Sequence, residues 1–140
     1  MKKTILVVDD NPDVITSLKI GLEDASQLYK ILGVENGQKC LQLLKDNIIP
    51  DIILLDIMMP QMSGWEVFDR IKENPSWKTI PIVFLTARTD RIAKNAGSFL
   101  GEDYIEKPFD IADLKKRIEK VFQNKNSKKM FADNKITSNR

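Results

Sequence analysis

Apolar residues along the chain follow two alternating rhythms. Five short runs are rich in aliphatic and aromatic residues: Thr4–Val8, Tyr29–Val34, Asp51–Asp56, Pro81–Thr86 and the weaker Asp103–Ile105. The first, third and fourth are nearly continuous in Ile, Leu and Val, the pattern of parallel strands covered on both faces. Between the runs, apolar positions recur at helical spacing. Asn11 and Pro12 open a first helix carrying Val14, Leu18, Leu22 and Ala25, with Asn11 as N-cap and Pro12 at the first helical position. Asn36 and Gly37 precede a second helix with Cys40, Leu41, Leu44 and Ile48. Ser63 starts a third, with Val67, Phe68 and Ile71, and Thr89 or Asp90 a weaker fourth with Ile92, Ala93 and Ala96. Asp110 caps the last helix, whose stripe of Ile111, Leu114, Ile118, Val121 and Phe122 is the clearest of the set.

Strand–helix alternation repeated five times predicts a single α/β domain of (βα)5 type. Right-handed crossovers place helices on both faces of one parallel five-stranded sheet, in the order 2-1-3-4-5. The domain is expected to span residues 1–123. Residues 124–140 read as a polar, basic C-terminal tail or linker, disordered and too short for a helix-turn-helix output module.

Composition narrows the chemistry. At 140 residues, with 42% apolar and 30% charged, the chain suits one globular domain. No apolar run approaches the roughly 20 residues of a membrane helix, and the first run breaks at two aspartates, unlike a signal peptide. A cytoplasmic location is the expectation. Cys40 is the only cysteine and is expected in the core, so neither an internal disulfide nor a Cys-based zinc site is available. There is no histidine, which removes the Ser-His-Asp triad and the His general base together. Charge is uneven: residues 1–123 carry 17 basic against 19 acidic residues, whereas 124–140 carry five against one. Neither nucleic acid nor membrane is an expected partner of the domain.

Ligands of open α/β sheets bind outside the carboxyl ends of the strands. There the first run ends in Asp9-Asp10, the third in Asp56, the fourth in Thr86, and the fifth leads to Lys107-Pro108. Turn propensity alone accounts for any one of these residues but not for the set. Carboxylates about 4 Å apart repel by roughly 4 kcal/mol at an effective dielectric of about 20. A hard divalent cation with oxygen ligands, Mg²⁺ before others, relieves that repulsion. An aspartate beside such an ion is a recognised phosphoryl acceptor.

These residues resemble the receiver domains of two-component response regulators, the chemotaxis-regulator-like group with a flavodoxin-like fold. The likeness covers about residues 3–123. It is carried by Ile5-Leu6-Val7-Val8-Asp9-Asp10, by Pro50-Asp51-Ile52-Ile53-Leu54-Leu55-Asp56-Ile57-Met58-Met59-Pro60 and by Ser63-Gly64. It continues in Pro81-Ile82-Val83-Phe84-Leu85-Thr86-Ala87 and Asp103-Tyr104-Ile105-Glu106-Lys107-Pro108-Phe109. The resemblance implies that Asp56 is the phosphoacceptor of a phosphorelay. It implies that Asp10, Asp56 and the Met58 carbonyl bind Mg²⁺ (Mn²⁺ as a substitute), with Asp9 acting through water. Thr86 and Lys107, the latter across a cis peptide to Pro108, contact the phosphoryl oxygens, and Tyr104 turns inward when Thr86 moves. Pro60 and Gly64 support the loop after Asp56.

The resemblance further implies partners. They are a sensor histidine kinase or phosphotransfer protein upstream, and an effector protein or output domain downstream. A homodimer could form through the face of the fourth helix, fifth strand and fifth helix, the surface the phosphate switches. Catalysis would be confined to the chain's own phosphorylation and dephosphorylation. Three departures stand out: Ser98–Glu102 differs from the common Gly-Ala, and Met58 and Arg88 occupy variable positions that affect phosphate lifetime. The bulk of Met58 is expected to slow water's approach to the acyl phosphate. Phe99 and Leu100 belong either to an exposed docking patch or to the core.

Two other functions are weighed. A degenerate receiver that only binds proteins would not need all of Asp9, Asp10, Asp56, Thr86 and Lys107. A flavodoxin-like enzyme or cofactor binder would want a Gly-rich loop after the first strand, where Asn11-Pro12-Asp13 stands instead. An aspartyl-phosphate hydrolase would want a second acid where Met58 lies.

Overall fold

A computed structural model describes residues 2–23, 27–87 and 103–138, with side chains described through residue 125. The expected fourth helix, Arg88, Ala25 and the Phe99–Leu100 patch lie outside the described residues. The strands are β1 (Lys3–Val8), β2 (Tyr29–Val34), β3 (Ile52–Asp56), β4 (Ile82–Ala87) and β5 (Asp103–Lys107). The helices are α1 (Pro12–Leu22), α2 (Gly37–Lys45), α3 (Gly64–Glu73) and, as the last described, α4 (Ile111–Ser138).

All pairings are parallel and the order is β2-β1-β3-β4-β5, as the alternation predicts. Successive strand residues point to opposite faces, so the sheet splits its aliphatic side chains between two cores. Leu6, Val8, Ile53, Leu55, Ile82 and Phe84 face Cys40 and Leu44 of α2 and Val67, Phe68 and Ile71 of α3. Ile5, Val7, Ile52, Leu54, Val83 and Leu85 face Leu18 and Leu22 of α1 and Leu114 and Ile118 of α4. Each fully buried aliphatic side chain contributes about 1.5–3 kcal/mol. That two-sided burial explains why the central runs are continuous rather than alternating. Cys40 is fully buried, and desolvation pushes its thiol up to about 12.

Side chains cap the helix N-termini, at Asn11 and Asp110 as predicted. Asn11, Asn36 and Ser63 side chains accept from the amides of Asp13, Lys39 and Glu66, and Asp110 accepts from the amide of Ala112. Two boundaries differ from expectation. The second helix was expected to include Ile48, but α2 ends at Lys45. Asn47 turns left-handed at φ 65°, and the Ile48 amide returns to the Leu43 carbonyl at 3.0 Å, closing the helix as a Schellman motif. The last helix was expected to stop near residue 123, but α4 runs to Ser138. No Pro or Gly interrupts residues 124–138, so nothing in the backbone chemistry ends it there.

Candidate functional site

β1 sits between β2 and β3, so the chain's crossovers leave its two neighbours in opposite directions. A crevice forms at the carboxyl ends of β1 and β3, where that direction reverses. Asp9 and Asp10 follow β1, Asp56 closes β3, Thr86 lies near the end of β4 and Lys107 ends β5. The register sets Thr86 opposite Glu106 and Ala87 opposite Lys107, which carries the lysine to the level of the acidic pocket.

The three carboxylates converge: one oxygen each from Asp9, Asp10 and Asp56 lies within 4.8 Å of the others. Asp9 is fully buried and doubly held. One oxygen accepts the Asn11 amide at 2.9 Å, and the other meets the Lys107 ammonium at 2.6 Å. Asp56 is 4% exposed and lies 3.5 Å from the same ammonium. Burial raises its carboxyl to about 7, and the neighbouring Asp9 charge pushes the same way. Lys107 opposes that rise, while Asp10 adds to it by hydrogen bond and charge. Among the described residues, the Lys107 ammonium thus faces two buried carboxylates, Asp9 and Asp56, with the exposed Asp10 beside them. The chemistry of the donor set fits a hard divalent cation, for which Asp9, Asp10 and Asp56 offer only oxygen ligands.

The supporting residues are placed as follows. Thr86 is buried, its hydroxyl donating to the Ala87 carbonyl at 3.2 Å. The Lys107–Pro108 peptide is cis. Tyr104 is buried, 7% exposed, on the α2/α3 side of the sheet. The loop after Asp56 folds back on itself. The Met62 amide donates to the Pro60 carbonyl at 2.7 Å across a left-handed Gln61, and the Gly64 amide reaches the Ile57 carbonyl at 2.9 Å. A Cβ on Gly64 would collide with the Asp56 carbonyl and sit 2.8 Å from Ile57 Cα, so only glycine lets α3 start against the site. Met58, on this loop, is 67% exposed.

Sequence reasoning missed two participants. Asn11 was read only as a helix cap, yet its amide also fixes Asp9. Arg117 was not singled out. Its guanidinium donates to the Tyr104 carbonyl at 3.0 Å and pairs with Asp113 at 3.1 Å, tying the last helix to β5. The (i, i+4) spacing of Asp113 and Arg117 was the available signal.

An open parallel sheet with an acidic pocket at its strand-order reversal defines a class of small α/β domains whose chemistry lies in that pocket. Within that class, residues 5–119 match the response regulator receiver domain. The chain belongs to that family, whose members act in two-component signalling and typically use Mg²⁺. It is 44% identical over 126 residues to a Vibrio cholerae protein named "Probable cyclic di-GMP phosphodiesterase", covering 89% of this chain and 28% of that one. It is 38% identical over 122 residues to the phosphate regulon transcriptional regulatory protein PhoB of Pseudomonas aeruginosa, covering 86% and 52%. The chemotaxis response regulator CheY4 of Vibrio cholerae superimposes with a TM-score of 0.76 at 26% identity, covering 86% and 99%. The chain therefore spans about a quarter and a half of the length of these two curated relatives. Receiver domains are not an enzyme family in the usual sense, and no described helix is long and apolar enough to cross a membrane.

Proposed function

We propose that Asp56 accepts a phosphoryl group from a phosphohistidine of a sensor kinase or phosphotransfer protein, and that the phosphorylated pocket switches the domain's output. The observation that carries this reading is the placement of a nearly buried Asp56 carboxylate among Asp9, Asp10 and Lys107. In the transfer, the donor's N–P bond breaks as an Asp56 Oδ–P bond forms, and the imidazole leaves. Bound Mg²⁺, or Mn²⁺ in its place, would neutralise charge on the transferred group. Asp10, Asp56 and the Met58 carbonyl would hold it directly, with Asp9 through water. Lys107 turns from Asp9 toward the new phosphoryl oxygens, and Thr86 donates its hydroxyl to them.

The chain has no histidine, so the donor is another molecule or another domain of a longer protein. An open, mostly apolar groove of about 470 Å³, lined by Val14, Ala87, Pro108, Phe109 and Ile111 with Asp13 and Ser17, lies beside Lys107, which supports donor docking on that flank. The phosphoryl group, with its strong acceptor oxygens and close to two negative charges in place of the carboxylate's one, biases an existing two-state equilibrium in which Thr86 and Tyr104 move together. The face formed by β5, the last helix and the expected fourth helix carries the result to an effector, an output domain or a second copy. Residues 1–123 form the switching unit, and the remainder of α4 leads away from it.

The test is incubation with acetyl phosphate and Mg²⁺, followed by intact mass. The expected result is a single phosphoryl adduct that requires Mg²⁺ and is lost in Asp56→Asn. An adduct that survives Asp56→Asn, or none under any divalent ion, overturns the proposal.

A further inference from the structure

Phe84 lies two residues before Thr86 on β4 and is fully buried. Three aromatic rings surround it. Trp65 is at 4.7 Å between centroids, Phe68 at 5.3 Å and Tyr104 at 6.2 Å, all tilted. Trp65 is half-buried and immediately follows Gly64, the residue whose Cα rests on the Asp56 backbone. Trp65 thus adjoins the support of Asp56 through Gly64, and through the Phe84 ring it is linked to Tyr104.

We infer that Phe84 is a relay that passes movement of Tyr104 to Trp65, so that the start of α3 is a second surface altered by the switch. The inference rests on the phosphoacceptor reading. Its physical basis is close packing: a ring with no exposed surface cannot lose a neighbour on one side without shifting or leaving a void. Tyr104 occupies one side of Phe84 here, and Trp65 and Phe68 occupy others. Tyr104 already packs inside the core here, so its movement with Thr86 changes the contact on one side of the Phe84 ring, and that ring must shift to stay packed. Trp65, whose outer part meets solvent, is the neighbour able to follow. Phe68 is 6% exposed and backed by the interior of α3, which leaves it less room. The altered surface would lie on α3, apart from the face of β5 and the last helix.

The experiment uses the full chain carrying Trp77→Phe, which leaves Trp65 as the only indole. Beryllofluoride with Mg²⁺ loads the pocket, and fluorine NMR of bound fluoride reports loading independently of Trp65 emission. The expected result is an emission change on full loading, most of which is lost in Tyr104→Ala and in Phe84→Leu compared at full loading. An unchanged emission response in these variants overturns the relay and leaves the phosphoacceptor reading intact. So does full loading of the parent with no emission change. Absence of bound fluoride in the parent overturns the phosphoacceptor reading, and the relay with it. Should Phe84→Leu fail to fold, Tyr104→Ala and Tyr104→Leu decide the matter by the same two readouts.

Discussion

The Lys107 ammonium stands 2.6 Å from Asp9 and 3.5 Å from Asp56, closer to the aspartate that is not the proposed acceptor. Asp9 is the more buried of the two and has one oxygen fixed by the Asn11 amide, so it holds the cation more firmly. The lysine's first role is therefore to keep a buried carboxylate cluster tolerable.

Lys107→Met retains much of the stem and removes the charge. Losing one partner of a fully buried pair costs about 3–5 kcal/mol. The Lys107 side chain is 24% exposed, so solvent screening lowers the expected loss to about 2 kcal/mol. Urea denaturation without divalent ions should show that deficit, and added Mg²⁺ should shrink it by supplying charge to the same carboxylates. A deficit of equal size with and without Mg²⁺ would show that the ion and the lysine do not share a site.

The pH dependence follows from Asp56. Its carboxyl titrates at 3.8 in an unfolded chain and at about 7 in the fold. Between those values the folded state keeps a proton that the unfolded state releases. Stability from this group therefore falls as pH rises from about 4 to 7, and the full penalty is present above 7. The expected penalty is about 2–4 kcal/mol. Comparing the parent with Asp56→Asn isolates it from other groups. The asparagine variant should be the more stable at pH 8 in chelator, the gap closing toward pH 4 and on addition of Mg²⁺. A parent as stable as Asp56→Asn at pH 8 in chelator would contradict the raised carboxyl.

Much of this arrangement was readable in the residues, for definable reasons. β1, β3 and β4 are buried on both faces, which forces continuous aliphatic runs, and their ends mark the pocket by position alone. The close of α2 was hidden because Ile48 continues the helical spacing. Only the left-handed turn at Asn47 stops the helix. Polarity after residue 123 suggested a tail, although polarity does not end a helix that lacks a breaker. The partner of Lys107 was hidden for another reason. Asp9 lies 98 residues away, and which of three clustered carboxylates takes the ammonium depends on burial and on the Asn11 amide.

Gly64 offers a sharper test of what positions Asp56. In Gly64→Ala the new methyl meets backbone atoms of Asp56 and Ile57, which cannot yield without moving the acceptor. The expected cost is about 2–3 kcal/mol, with slower phosphoryl uptake. Gly21→Ala is the control: the nearest atoms to its methyl all belong to the Ile111 side chain, Cδ1 at 2.8 Å, Cγ1 at 3.0 Å and Cγ2 at 3.1 Å, and none to the backbone that carries Asp56. Within α1 the alanine also gains about 1 kcal/mol of helix propensity. Crowding of Ile111 costs about 1–3 kcal/mol against that gain, so Gly21→Ala should lose up to about 2 kcal/mol in stability yet leave phosphoryl uptake by the folded protein unaltered. Equal losses of uptake in the two variants would remove Gly64 from the acceptor's support.

Asp10 separates metal binding from folding. It is the exposed member of the cluster, whereas Asp9 and Asp56 are buried. Water already solvates its charge, so Asp10→Asn should change stability without divalent ions by less than about 0.5 kcal/mol. The same substitution removes one of three anionic oxygen donors from the pocket, and relieves a charge that raises the Asp56 carboxyl. The first effect weakens the cation's hold, while the second lets Asp56 ionise more readily and partly offsets it. The ligand loss dominates because a direct contact at bonding distance outweighs a through-space charge. Mg²⁺ affinity, followed by calorimetry, should fall by about tenfold or more, a change of roughly 1.4 kcal/mol. Unchanged Mg²⁺ affinity in a stable Asp10→Asn protein would place the ion away from these three carboxylates.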